Sequence, residues 1–344
     1  MVKVRRELSD DYLHPPEAAP NFNESRYYNW YDAGSGSGGW VRMGNRVNEG
    51  YAELTVCLYL PGGRVAFMYR RPPIEDNDAH DAGGLTFEVL EPYVRHRVTY
   101  GGKVLVLARP RGMADPKTAF ETNPQVDCRL DLDLSAVGQP WGGEPEWEES
   151  EDRPDLDPEK MFARGHTEQH MAVTGSVVVG GEQLAVARGL GLRDHSWGPR
   201  YWQNVWWYRW LTANLGPGLG FACTVAGSEE DPTGAPHVSG FLYDVDRYGD
   251  NRAIPIREVE LASDYDADWF PTGSTVIVTT DDHTYQVEGT VWSSIPLRNR
   301  REGQVTRITE GMTRWRCGGI EGAGLSEYLD QVVDGLPVGT RVGR

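Results

Sequence analysis

Apolar and polar residues alternate along many short stretches of this chain. Between positions 126 and 134 every even-numbered residue is apolar and every odd-numbered residue is charged. A period of two over such a stretch predicts an antiparallel β-strand with one buried face. Further strand-like runs cover positions 40–44, 51–60, 64–70, 85–90, 93–100, 103–109, 167–179, 182–192, 205–215, 218–226, 237–245, 252–261, 274–280, 283–292 and 312–317.

Turn-forming residues separate these runs. The pairs Gly101-Gly102 and Gly180-Gly181 are each expected to form a two-residue hairpin turn, and Asp281-Asp282 is expected to join two further strands. Only residues 326–333 have a pattern that suggests a helix. Many short strands joined by tight turns predict an all-β protein with two β-barrels or β-sandwiches packed together and little helix.

The domain boundary is expected at an acidic, proline-broken stretch, GGEPEWEESEDRPDLDPEK, which begins at Gly142. A segment of this composition favours a solvated loop. The sequence therefore predicts an extended N-terminal arm over 1–20, an N-terminal β-domain over 21–141, an acidic linker over 142–165 and a C-terminal β-domain over 166–344.

Charge and composition narrow the classes of partner. The formal net charge of −17 over 344 residues argues against nucleic acid and against an anionic membrane surface, because both require a basic face. No stretch has the length of a membrane span or the pattern of a signal peptide, and the four cysteines contain no C-x-x-C pair. We therefore expect a soluble protein of the reducing cytoplasm, without stable membrane insertion.

The segment from Gly189 to Trp210 combines charged residues with a dense group of aromatic ones. Two arginines, an aspartate and a histidine lie beside five of the twelve tryptophans and two tyrosines, which are Trp197, Tyr201, Trp202, Trp206, Trp207, Tyr208 and Trp210. Such a cluster lines a cavity or an interface in many proteins, and an Asp-His pair beside it suits proton transfer to an apolar substrate. The alternative is a structural seam in which Arg193, Asp194 and Arg200 form an ion network.

A family resemblance favours the chemical interpretation. The segment GLGLRDHSWGPR follows a G-x-V-x-V-G-G-E hairpin and resembles the D-H-x-W-G signature of the carotenoid 1,2-hydratase and AttH-like family. The chain is similar also to a group of two-domain actinobacterial proteins. The resemblance covers residues 165–215 best and is looser over 23–72 and 312–330. It implies two lipocalin-like β-domains and an enzyme that hydrates an isoprenoid double bond. Fungal members of the family hydrate prenylated phenols, and some relatives act as cyclases.

The signature residues carried over are Asp194, His195 and Trp197, followed by Gly198. Hydration of an alkene begins with protonation to a carbocation, which requires an acid in a dry pocket and is favoured by an aromatic face. We expect His195 to handle the proton and Trp197 to form the wall of the pocket. Asp194 has cationic neighbours and points away from His195 in an extended strand, so it is expected either to orient His195 or to serve structure alone.

A second group, His166, Glu168 and His170, shares one face of a predicted strand. These residues could bind a metal ion, but we expect Glu168 to act instead as an acid of the pocket and expect no metal or other cofactor. The predicted catalytic residues are thus His195, Asp194 and Glu168, and the seven aromatic residues named above are predicted to bind substrate. The sequence predicts a cofactor-free hydro-lyase for an apolar isoprenoid-like substrate, with a cyclase or isomerase of the same fold and a lipid or terpenoid carrier as alternatives.

Overall fold

The structure is a computed structural model, which describes residues 3–146, 162–231 and 234–341. The chain forms two compact units. The first contains Met1–Leu107 and Asn123–Asn204, and the second contains Ala108–Thr122 and Val205–Arg344. Both are built from antiparallel sheets, which confirms the predicted all-β fold.

The first unit is a 12-stranded sheet. Its strands are β1 (Lys3–Arg5), β2 (Phe22–Asp32), β3 (Ser37–Arg46), β4 (Tyr51–Tyr59), β5 (Val65–Arg70), β6 (His80–Ala82), β7 (Leu85–Glu91), β8 (Arg95–Leu107), β9 (Gln125–Ala136), β10 (Trp141–Glu146), β11 (Gly165–Val179) and β12 (Glu182–Pro199). Because β9 pairs with both β8 and β11, the strands β11-β12-β2-β3-β4-β5-β8-β9 follow one another in a closed ring. Such closure leaves no free edge in the ring and is typical of a β-barrel.

The second unit is a 10-stranded sheet with the order β16-β15-β14-β13-β21-β20-β19-β18-β17, and β22 pairs with β21. Its strands are β13 (Trp207–Asn214), β14 (Leu219–Gly227), β15 (His237–Asp244), β16 (Ile254–Pro255), β17 (Glu258–Tyr265), β18 (Pro271–Thr279), β19 (Thr284–Arg301), β20 (Gln304–Cys317), β21 (Ile320–Val333) and β22 (Leu336–Pro337). Two short helices, α1 (Pro116–Thr122) and α2 (Val245–Tyr248), also belong to this unit. No described helix is long and apolar enough to cross a membrane.

The core of each unit follows from the alternation within its strands. In the first unit, the even-numbered residues of β2, β4 and β9 point into the barrel, as Trp30, Leu54 and Leu132 do. In the second unit, Leu211 and Trp315 belong to a separate buried cluster. The four cysteines are buried free thiols. Cys128 belongs to the core of the first unit, and Cys223 and Cys317 belong to that of the second.

The turns agree only in part with the sequence predictions. Gly180 and Gly181 have φ of 59° and 89° and join β11 to β12 as a tight hairpin, as predicted. Gly101-Gly102, however, lies inside β8, which continues from Arg95 to Leu107 without a turn. Residues 326–333 are part of strand β21 and not a helix. Residues of β21 are buried on both faces, so its sequence lacks the alternation that identifies a half-buried strand.

The units divide the chain at a different position from the predicted domain boundary. Strands β11 and β12 fall within the predicted C-terminal domain of 166–344, but they close the barrel of the first unit between β9 and β2. The division lies instead between Asn204 and Val205, and the segment Ala108–Thr122 belongs to the second unit. Of the predicted acidic linker, Trp141–Glu146 forms β10, whereas residues 147–161 lie outside the described residues. Within the predicted N-terminal arm, β1 pairs with β10 and Leu8–Asp11 forms a 3-10 helix.

Candidate functional site

The RDHSWG segment lies in β12, and its side chains alternate between the two faces of the barrel wall. His195 is paired with Arg26 of β2, and Arg193 with Tyr28, which points into the core. Arg193, His195 and Trp197 therefore point into the barrel, whereas Asp194 and Ser196 point outward. This opposite orientation agrees with the sequence analysis.

The carboxylate that contacts His195 is that of Glu24, in β2, and not that of Asp194. The Nε2 atom of His195 lies 2.6 Å from Glu24 Oε1, and both side chains are fully buried. Arg26 Nη2 lies 3.4 Å from Nδ1 of the same imidazole. Because a guanidinium can only donate, Nδ1 accepts this hydrogen bond and Nε2 carries the proton that is donated to Glu24.

Burial favours the neutral forms of both His195 and Glu24. Desolvation, together with the positive charges of Arg26 and Arg193, holds the pKa of His195 well below its ordinary value. Desolvation also raises the pKa of the Glu24 carboxyl, although the hydrogen bonds from His14 and the positive charge of Arg26 oppose the shift. Glu24 is thus a carboxyl group whose surroundings favour the protonated form, next to a neutral imidazole.

His14 and Trp197 lie beside Glu24 and His195, and these four residues form the inner site. His14 comes from the N-terminal arm, where its backbone N–H donates to Glu24 Oε2 at 3.2 Å and its Nδ1 lies 3.0 Å from Glu24 Oε1. Its ring is stacked on Trp197, with the centroids 4.0 Å apart and 14° between the planes. The indole Nε1 of Trp197 donates to Glu144 Oε1 at 2.8 Å, which fixes the plane of the ring. The site therefore combines an acid, a neutral base and a flat aromatic wall.

A buried ion network holds the arm in the barrel beside this site. Asp11 accepts hydrogen bonds from the backbone N–H of Tyr93 at 2.5 Å and from His96 Nε2 at 2.9 Å, and it forms an ion pair with Arg193 at 3.1 Å. Burial alone would raise the pKa of Asp11, but the charges of Arg193 and Arg26 and the hydrogen bond from His96 lower it below its usual range. A buried carboxylate is stable only when it is paired. This network shares Arg193 with the ion network that the sequence analysis gave as the alternative, but its carboxylate is that of Asp11 and not that of Asp194.

The outward face of β11 and β12 carries a second group of titratable residues. Glu168 is paired directly with Asp194, and His166 lies two residues from Glu168 on the same strand face. His166 Nε2 contacts Asp194 Oδ2, and the imidazole is about half exposed. Desolvation opposes its protonation, but the Asp194 carboxylate outweighs this effect and raises the pKa of His166 to about 9. Glu168 and Asp194 thus lie together on the face opposite His195. His166 and His170 leave the same face by alternation, and His166 is the histidine whose ring nitrogen comes within 4.8 Å of both carboxylates.

The predicted aromatic residues are divided between the two units. Trp197, Tyr201 and Trp202 belong to the first unit, and Trp206, Trp207, Tyr208 and Trp210 belong to the second. The guanidinium groups of Arg42 and Arg200 lie 5.3 and 5.5 Å from the ring of Trp202.

Within the second unit, successive residues of β13 point to opposite faces. Trp207 packs in the core, whereas Tyr208 donates its hydroxyl proton to Glu327. Trp210 shares the face of Tyr208 and is paired with Glu327 across β13 and β21.

Sequence reasoning missed Glu24, His14 and Arg26, which lie in the arm and in the first long strand. A signal for two of them was present, because Glu24, Arg26, Tyr28 and Trp30 share one face of a strand by alternation. Charged residues in line with a buried tryptophan indicate a polar group inside the barrel. The position of His14 carried no such signal, because it depends on how the arm folds back.

The sequence and the fold can both be compared with known proteins. A family described as "Domain of unknown function (DUF7064)" matches residues 7–332. The chain belongs to this family. No curated protein matches the DUF7064 chain.

Three solved structures share the fold of this DUF7064 protein. A protein assigned as AttH from Nitrosomonas europaea is 15% identical, with a TM-score of 0.54 and coverage of 96% of this chain and 98% of that one. Kievitone hydratase from Nectria haematococca is 11% identical, with a TM-score of 0.57 and coverage of 96% of each chain. CghA with Sch210972 is 12% identical, with a TM-score of 0.54 and coverage of 93% and 94%. At identities of 11–15% the likeness shows the fold alone. It extends over 93–96% of this chain and therefore includes both units.

Proposed function

We propose that this protein is a cofactor-free hydro-lyase that adds water to, or removes it from, a carbon–carbon double bond of an apolar isoprenoid-like substrate. The observation that carries the proposal is the buried Glu24 carboxyl, whose pKa is raised, between His195 and the aromatic ring system of His14 and Trp197. The resemblance of the RDHSWG segment to hydratases, and the fold shared with kievitone hydratase, support it.

Each group has a role that its environment suits. Protonated Glu24 transfers its proton to one alkene carbon, and the π pair forms the new C–H bond and leaves a carbocation on the other carbon. The face of Trp197 stabilises that cation. A water molecule then forms the C–O bond and returns a proton to the Glu24 carboxylate, so the acid is regenerated. No change of oxidation state occurs, so this route requires no redox cofactor.

His195 is a positioning residue in this scheme rather than the proton donor. Its Nε2–H donates to Glu24, and Arg26 at Nδ1 selects that tautomer. A neutral imidazole in this place orients the carboxyl without adding a positive charge that would favour its ionisation. The proposal thus assigns the acid role to Glu24 and keeps His195 and Trp197 as the residues on which the site depends.

The place of the substrate is suggested by His14. Its ring covers Trp197 at 4.0 Å and contacts Glu24, so it occupies the space that a planar alkene requires to reach both groups. The side chain of His14 is 18% exposed, whereas Glu24 is fully enclosed. We propose that the arm around His14 is displaced when the substrate enters.

The four buried free thiols support the proposal that the protein acts in a reducing compartment such as the cytoplasm. The cyclase or isomerase alternative would use the same acid without water, and a carrier would require the aromatic wall alone.

The test compares wild type with Glu24→Gln on a panel of isoprenoid alkenes and prenylated phenols in ¹⁸O-labelled water. We expect ¹⁸O in the product of the wild type and a loss of turnover of about 10²–10⁴-fold in the variant. Glu182→Gln, at an exposed ion pair with Arg64, is the matched control and should retain turnover. Full activity of Glu24→Gln would refute Glu24 as the acid. Product without ¹⁸O would favour the isomerase, and saturable binding without any turnover would favour the carrier.

A further inference from the structure

We propose that the outward face of β11 and β12 binds a divalent transition-metal ion through His166, Glu168 and Asp194. This inference is independent of the proposed reaction, because these side chains lie on the opposite face of the barrel wall from Glu24 and His195.

The pairing of the two strands brings the three groups together. Glu168 and Asp194 are directly opposite each other, and His166 is two residues along from Glu168, so all three side chains leave the same face. One ligand atom from each lies within 4.8 Å of the other two. Around a tetrahedral zinc ion with bonds of about 2.0–2.1 Å, ligand atoms are separated by about 3.3 Å. Small rotations of the side chains are therefore enough to enclose an ion.

The donor set indicates the class of ion. One imidazole nitrogen with two carboxylates suits Zn²⁺, Mn²⁺ or Fe²⁺, whereas Ca²⁺ and Mg²⁺ prefer oxygen ligands alone. His166 is about half exposed, so an ion can reach the site and water can occupy the remaining coordination positions. Arg200 lies on this face, where it donates to Ser196 Oγ at 2.8 Å and to the Phe162 carbonyl oxygen at 2.9 Å.

A second group of potential ligands, His14, Glu24 and His195, also comes within 4.8 Å. Two observations argue against a metal ion there. Arg26 donates to His195 Nδ1, so Nε2 carries a proton and has no lone pair for a metal. The guanidinium groups of Arg26 and Arg193 also lower the pKa of His195 by disfavouring a second positive charge beside them. The same electrostatics that exclude a proton from His195 exclude a divalent cation.

The experiment is isothermal titration of metal-stripped, full-length protein with Zn²⁺ and, separately, with Mn²⁺. We expect one equivalent of ion to bind to the wild type, and affinity to fall by about tenfold or more in Asp194→Asn and in His166→Gln. His14→Gln is the matched control for the inner group and should bind as the wild type does. Far-UV circular dichroism of each variant checks that the strands are retained. The visible spectrum of the Co²⁺ form gives a second readout, because its bands should appear in the wild type and be lost in Asp194→Asn.

Absence of saturable binding by the wild type, or equal affinity in Asp194→Asn and wild type, would overturn the proposal. Loss of binding in His14→Gln alone would place the ion in the inner group and also overturn it. If either outward-face variant fails to fold, the Co²⁺ spectrum of the other decides. None of these results depends on turnover, so a failure here leaves the test of Glu24 unaffected.

Discussion

His80 offers a measurable test of the electrostatics inside the first unit. This histidine is buried in the barrel, where its Nε2 donates to the backbone carbonyl of Glu24 at 3.1 Å. Desolvation, reinforced by the positive charge of Arg26, lowers its pKa from 6.5 to about 3. His80→Gln replaces the imidazole by a side chain that can donate from a similar position but cannot take up a proton.

The size of the effect follows from the pKa difference between the folded and unfolded states. Because the folded pKa is lowered, the unfolded chain binds a proton below about pH 6.5 that the folded protein does not bind until about pH 3. Stability therefore falls as the pH falls through this window. Between pH 7 and pH 5 the loss from His80 is about 1.36 × 1.5, or roughly 2 kcal/mol. His96, whose pKa burial lowers to about 4, adds a similar loss in both proteins.

Urea denaturation of wild type and His80→Gln at pH 7 and pH 5 measures this difference. We expect the wild type to lose about 2 kcal/mol more unfolding free energy than the variant between the two pH values. His96, His195 and Glu24 titrate in both proteins, so their contributions cancel in the comparison. His237→Gln, at an exposed position, is the control and should follow the wild type. Equal losses in wild type and His80→Gln would show that His80 is not desolvated in the folded state, and the burial argument for His195 would fail with it.

Two further substitutions test the packing around the site. Trp197→Phe keeps a ring against His14 but removes the hydrogen bond from Nε1 to Glu144, so the free energy of unfolding should fall by about 1–3 kcal/mol. Unchanged stability in urea denaturation would show that this hydrogen bond does not stabilise the fold. Gly191→Ala would place a Cβ against the carbonyl oxygen of Asn29 on the paired strand β2 and should lower the free energy of unfolding by at least about 4 kcal/mol. Gly101→Ala is the control, because a Cβ there meets nothing within 4 Å, and it should be tolerated when both variants are compared by thermal melting.

The sequence alone determined the class of fold, because alternation is a local property. The period of two over 126–134 corresponds to β9, and Gly180-Gly181 forms the hairpin that it predicts. Alternation also determined that Asp194 and His195 leave opposite faces of one strand. Where both faces of a strand are buried, as in β21, the local pattern was absent and the prediction of a helix was wrong.

Only the tertiary structure decided which groups meet. Glu24 and His195 are separated by 171 positions, and Asp11 and His96 by 85, so no spacing in the sequence connects them. The first contact exists because closure of the barrel places β12 next to β2 in a register that pairs His195 with Arg26. The same closure includes β11 and β12 in the first unit, so the units divide after Asn204 and not at the acidic stretch that the sequence predicted. Register and closure depend on pairing between distant strands, and the free energy of that pairing comes from burying side chains that no local window contains.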